Sequence, residues 1–537
     1  MVISGKTILF IDPLYEEKDP KKVCRFVSVS DFLDDVCGPQ ALDQIYGIFG
    51  IDEGRLRQGN LDGTLFWFPL RTKKSELSEV IYTTEKMTDV LESFKKEIGS
   101  EMLFLTSLEN IELYKMVNGC WDIDSCVSIE RSCAQNIREK RTEYKEKIKS
   151  IEKNMENDDQ WITKCDPVWM KCIVTYNIEM NGIASKQEWL VINYFHAGKM
   201  DPEILTLIRN RRSKYRPYIG IAARLDQPIP SGQIFCFLPL PFEDDSPTGL
   251  PVHINGFFAL DSNRQHLKWP SNDQKLSKSH LENDMLWNVL MIQELLPIVY
   301  TELFEMWQIF PNLMQQFVNT FYQCVPRKAN SKTLTSGVVQ KINQYLLRSK
   351  IPCMESKRWV QMSDGYFAVF KDETCLEIQT TVTKLFSACT DKVIRITGHE
   401  DLFEQWNCQE DLKQTNPKET RNLLRSNHRG YKDLEDCYKE HLLLYCCSDA
   451  NLADLRGIEL LPLQSGKYKV FQPKAKSQQE TVYLCEHNEL EILIGKEENL
   501  VLKRSSDYGD LLKELATSGR LILYLFAYLI CICFFLG

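Results

Sequence analysis

Among its 19 cysteines the chain has no Cys-x2-Cys pair and no cysteine-histidine ladder at zinc-finger spacing. It therefore offers no ready-made tetrahedral zinc site, and the adjacent Cys446 and Cys447 cannot both serve one without further ligands. The start, "MVISGKTILFIDP", lacks a basic region followed by an apolar one, so it does not read as a secretory signal. Scattered cysteines without an export signal read as reduced thiols of a cytoplasmic protein. A Gly-x-Ser-x-Gly elbow is missing, which excludes that kind of hydrolase, and no glycine-rich phosphate loop is visible. Excess positive charge is missing too. With 65 Lys and Arg against 74 Asp and Glu the net charge is −9, so the whole molecule is no electrostatic nucleic-acid binder and any basic site must be local.

What is present is an ordinary globular balance, 43% hydrophobic and 26% charged over 537 residues. At about 150 residues per domain this implies roughly three or four domains. "KTILFIDP" reads as a strand, and "SVSDFLDDV" as a capped helix broken at Gly38-Pro39. "GNLDGTLFWFPLRTKK", Gly59 to Lys74, reads as a turn feeding a strand that is apolar on both faces and therefore buried rather than at an edge. Thr84 is placed to cap a helix carrying Met87, Val90, Leu91 and Phe94, and "EMLFLTSLENIELYKM" reads as two short strands around a turn. The layout is α/β (α+β) and multi-domain.

Residues 133 to 161 read as a charged surface helix with a thin stripe of Ile137, Tyr144, Ile148 and Ile151. Its glutamates alternate with its lysines, which favours pairing along the helix over RNA contact. Asn181-Gly182 predicts a tight hairpin between two strands. Arg209, Arg211, Arg212, Lys214 and Arg216 form a basic cluster that would suit a phosphate or an acidic partner, although a solubilising turn accounts for it as well. His253 falls on the period of a strand and reads as a packed residue, so His253 and His266 beside Asp261 and Arg264 do not amount to a catalytic set. Past residue 300, "SGVVQKINQYLLRSKIP" reads as an amphipathic helix and "KRWVQMSDGYFAVF" as a strand, an Asp-Gly turn and a strand, with aromatics at core positions.

One long apolar run stands out. Leu521 to Gly537 carries no charge over 17 residues, which is the lower limit for a spanning helix and makes a membrane anchor possible, flanked by Lys513 and Arg520. A buried terminal helix or a translated non-coding extension accounts for the same residues.

Six stretches occur in a set order: "ISGKTILFIDP", "GTLFWFPLR", "GIAARLDQP", "GQIFCFLPLP", "GLPVHINGFFALDSNRQHLKWP" and "WNVLMIQELLPIVY". Together they resemble the repeat of the sacsin family, giant co-chaperones whose repeats open with a GHKL-type nucleotide-binding domain related to that of the Hsp90 chaperones. The resemblance runs from Ile3 to Tyr300, and Leu455 to Phe471 is similar to the same family's continuation. It implies a C-terminal part of a GHKL domain over residues 1–125, a charged linker helix over 126–160, a β-rich segment over 161–300, a mixed α/β segment over 301–515 and the hydrophobic tail over 520–537.

By resemblance, Gly63 and Thr64 match the Gly-Thr pair that lies near the nucleotide phosphates, while Trp67 stands where the family usually has Arg. Arg264 matches the loop that delivers an arginine to the γ-phosphate, although a local pairing with Asp261 explains it equally. The family's magnesium-binding Asn, its acidic residue, its Asp-x-Gly-x-Gly turn and its lid all lie upstream of "ISGKTILFIDP". The expectation is a chain that has no catalytic residue or metal and does not bind ATP by itself, with ATP and magnesium relevant only if an upstream domain is supplied. Its expected role is that of a chaperone or co-chaperone scaffold in proteostasis, with Hsp70-type chaperones and client proteins as partners. The alternatives are a fragment of an ATP-dependent chaperone and a tail-anchored membrane scaffold.

Overall fold

The computed structural model describes residues 1–11, 24–34, 58, 61–68, 70–74, 79–118, 120–158, 160–210, 215–240, 248–270, 281–328, 334–426, 435–449 and 452–471, together with two short strands at 482–483 and 523–524. Apart from Leu523–Tyr524, the apolar run from Leu521 to Gly537 lies outside the described residues, as do Gly38-Pro39 and most of the basic cluster between Arg209 and Arg216. The chain divides into two compact units, Met1–Ile98 and Gly99–Gly537.

In the first unit, strands β1 (Val2–Gly5), β2 (Thr7–Ile11), β3 (Cys24–Ser28) and β4 (Leu61–Phe66) form an antiparallel sheet in the order β3-β2-β1-β4. Helix α1 (Val29–Asp34) starts where the Ser28 hydroxyl accepts the amide of Asp31, as a capping serine should. Ile3, Ile8 and Val29 make the small core, with Leu65 packed against it. The expectation of a doubly buried strand at Gly59 to Lys74 is corrected here. β4 is an edge strand, Phe66 is 58% and Phe68 74% exposed, and their rings stack on each other in the open. Alternation turns Leu65, partly buried, to the core face, and no second layer covers the other face among the described residues of this unit.

Helix α2 (Thr84–Glu101) forms as its spacing predicts, but its cap is Thr83, whose hydroxyl accepts the Lys86 amide, rather than Thr84. "EMLFL" is the end of this helix and a buried turn instead of a strand, with Met102, Leu103 and Phe104 inside. A short apolar run looks alike in either conformation.

The second unit is built on an eight-stranded sheet. Its strands are β5 (Asn110–Val117), β6 (Cys120–Ile129), β7 (Val168–Met180), β8 (Ile183–Phe195), β9 (Tyr218–Arg224), β10 (Ile234–Cys236), β11 (Leu238–Pro239) and β12 (His253–Gly256). They lie in the order β11-β10-β12-β9-β8-β7-β6-β5, all antiparallel except β10 with β12. The sheet runs across residues 125 and 160. β7 and β8 meet at Met180↔Ile183, with Asn181 and Gly182 both at positive φ, which is the hairpin geometry their sequence predicts.

Helix α3 (Arg131–Met155) packs on β7 and buries Ile137, Tyr144, Ile151 and Met155. Arg141 is buried with them, its Nη1 donating to Leu108 O at 2.8 Å. α3 is therefore a cover for the sheet, with only its outer side solvated as the charge pattern anticipates. Lys171 sits one residue off the buried period of β7, which turns it to the opposite face. There it pairs with Glu302 on the helix Leu296–Ile309, so both faces of the sheet are covered.

Beyond residue 280 the expected helix Ser336–Leu347 is present. The strands Trp359–Gln361 and Tyr366–Phe367 flank the Asp-Gly turn but do not pair with each other: the first joins Lys350–Pro352 antiparallel, the second Val393–Ile394 in parallel. Trp307 and Trp406 are fully buried, as their core positions predict, and Trp287 is fully buried as well. Leu385, Phe386, Leu442, Leu443 and Cys446 form a core beside the buried Arg421, whose guanidinium is held by Asp449 at 2.7 and 2.8 Å.

Candidate binding site

Gly63 adopts φ +134°, a conformation that suits glycine, and Thr64 Oγ1 lies 2.8 Å from Ser4 Oγ on the neighbouring strand. Both Gly63 and Thr64 are solvent-exposed at the edge of the four-stranded sheet, and Trp67 next to them is 40% exposed. Arg264 belongs to the second unit, at φ +57° in a turn where Asp261 Oδ1 accepts the amides of Gln265 and His266. Those amides, that of Gln265 first, hold the Asp261 carboxyl below its usual range. Asp261 thus shapes the turn through backbone amides. His253 is buried, and its Nδ1 accepts the Gln233 amide at 3.0 Å, which is the packed role its position predicts. Among the described residues, no group of three or more His, Cys, Asp or Glu side chains is placed to hold a metal ion.

A different constellation gathers under α3. Three strands carry a register of polar and small residues across the sheet: Asn193 on β8 faces Gly220 on β9, and Gly220 faces Asn255 on β12. Gly220 is needed there, since a Cβ would lie 2.6 Å from Asn193 Oδ1 and 2.9 Å from Ile192 O. The space it leaves is used by a chain of hydrogen bonds. The Tyr218 hydroxyl donates to Asn193 Oδ1 at 2.7 Å and accepts from Asn255 Nδ2 at 3.2 Å, while Asn255 Oδ1 accepts the Phe237 amide at 2.8 Å.

That last bond fixes an unusual residue. Phe237 joins β10 to β11 at φ +69°, a region that costs a bulky side chain about 1–3 kcal/mol. Held this way, its ring stacks on Tyr218 at 5.6 Å and meets Phe257 edge-on at 6.1 Å. Tyr144 of α3 approaches Tyr218 at 6.3 Å, and Phe195 pairs with Tyr218 along the strands.

Tyr144, Phe195, Tyr218, Phe237 and Phe257 wall a pocket of about 260 Å³, with Ile148 of α3 beside them. Its remaining lining is charged or polar: Lys145, Lys149, Glu152, Arg216 and Thr106. Arg216 pairs with Glu152 at 3.2 Å and lies over the Phe257 ring at 5.8 Å. Lys145 Nζ donates to Thr106 O and Ser107 Oγ, both neutral acceptors. Among the described residues the Tyr144 hydroxyl is buried without a hydrogen-bond partner, and burial pushes it well above the usual tyrosine range. Among the described residues, three cations against one carboxylate leave the lining positive.

In the sequence Tyr144 and Ile148 read only as a helix stripe and Arg216 only as part of a basic cluster, and Phe237, Asn255 and Phe257 carry no individual signal. The available signal was that three of the ordered motifs, "GIAARLDQP", "GQIFCFLPLP" and "GLPVHINGFFALDSNRQHLKWP", contribute Gly220, Phe237 and Asn255 to one site.

No helix among the described residues is long and apolar enough to cross a membrane. Residues 1–126 match the family model described as Sacsin domain. Sacsin of Homo sapiens is 28% identical over 463 residues, covering 82% of this chain and 10% of the human protein, so the chain spans about a tenth of the length of that relative. In motif order, in the Sacsin-domain match at the amino end and in the alignment over most of its length, the chain is similar to sacsin.

Proposed function

We propose that the chain acts as a chaperone or co-chaperone scaffold of the sacsin kind, holding other proteins in proteostasis and cooperating with Hsp70-type chaperones. The observation that carries this reading is the pocket under α3, where aromatic walls are combined with a positive rim. Protein-binding surfaces favour aromatic anchors within a polar surround. Among the described residues, neither a nucleophile paired with a base nor a cluster of metal ligands lines it.

A second reading has an observation of its own. Gly63 at φ +134° and Thr64 beside it keep the backbone of a Gly-Thr pair open, as a nucleotide-phosphate contact would require. On this reading the chain is part of an ATP-dependent, Hsp90-like chaperone.

The test is light scattering from chemically unfolded citrate synthase diluted into the purified chain, with and without ATP and magnesium. The scaffold reading predicts lower scattering at equimolar chain irrespective of nucleotide. Suppression that needs ATP would replace it with the second reading, and scattering unchanged in both conditions would remove both.

A further inference from the structure

We infer that the pocket under α3 docks an acidic protein segment and anchors it by one aromatic side chain. The inference rests on the scaffold reading and specifies what the scaffold holds. Size argues first: about 260 Å³ is below the roughly 300–1,000 Å³ of sites that enclose a whole small-molecule ligand, and it suits one ring. The walls argue next. Phe237, Tyr218 and Phe257 already meet in stacked and edge-on pairs, and an inserted ring extends the same geometry.

The flat faces of Tyr218, Phe237 and Phe257 select an aromatic side chain over an aliphatic one. Charge selects the flanking residues. Lys145 and Lys149 are four apart on α3, so they share one side of the helix, and both are solvent-exposed. Lys145 is bonded to neutral oxygens, and no ion pair involves Lys149 among the described residues. In a chain of net charge −9, a locally positive mouth discriminates in favour of acidic neighbours of the anchor.

The experiment is fluorescence anisotropy of a dye-labelled peptide, one tryptophan flanked on both sides by Glu and Asp, titrated with the full 537-residue chain. Saturable binding is expected. Replacing the tryptophan by alanine should weaken it by at least about tenfold. Lys149→Glu, a change at an exposed helix position, should weaken it by about threefold or more, and added salt should act in the same direction. A peptide that does not bind, or whose binding survives either the tryptophan-to-alanine change or Lys149→Glu, overturns the inference. If the chain still suppresses citrate synthase scattering in that case, the scaffold reading stands and only the pocket assignment falls.

Discussion

His253 is a group whose charge state the fold decides. Burial, with Arg224 as a lesser contributor, lowers its pKa from 6.5 to about 4, and Nδ1 must stay unprotonated to accept the Gln233 amide. The unfolded chain takes up this proton near pH 6.5 and the folded chain only near pH 4, so the unfolded state binds more protons between those values. Stability therefore falls as pH drops through that window, by up to about 3 kcal/mol from this residue. Urea unfolding of the chain at pH 7 and pH 4.5, compared with His253→Gln, checks this: the variant should lose less stability on acidification. Gly220→Ala tests the polar register beside it. Its Cβ would sit 2.6 Å from Asn193 Oδ1, and a melting curve should show a loss of about 1–3 kcal/mol. Of these two residues, His253 was legible in sequence because strand period alone places it. The need for Gly220 was not, because it is set by a side chain on another strand.

At the scale of elements, what is local was readable. Asn181-Gly182 predicts a two-residue turn, and the two 13-residue strands it joins pair along their whole length. Gly182→Ala, at φ +78°, should cost about 1 kcal/mol and lower the thermal midpoint, measurable by calorimetry. The stripe on α3 is read correctly from its 3.6-residue spacing. What lies against that stripe is not, since the sheet partner comes from residues 168 to 180. The same limit explains Trp359–Gln361 and Tyr366–Phe367, which are strands as expected but find their partners elsewhere in the chain. It explains β4 as well: a composition that suits burial on both faces does not say that, among the described residues, a second layer covers only one of them.

At the scale of the whole molecule, the sacsin resemblance was carried by motif order, and the comparisons bear it out. The binding pocket required the fold, because its lining runs from Thr106 to Phe257 and no single motif contains it. Exposed Phe66, Trp67 and Phe68 mark a separate apolar surface on the first unit. The claim that most depends on all of this is that the chain binds unfolded protein through the pocket. The direct measurement is amide hydrogen exchange on the full chain, alone and saturated with unfolded citrate synthase. The account predicts slower exchange on binding in residues 144–152 of α3 and in residues 234–257, which contain Phe237, Asn255 and Phe257. Bound citrate synthase with exchange unchanged in both segments would contradict it.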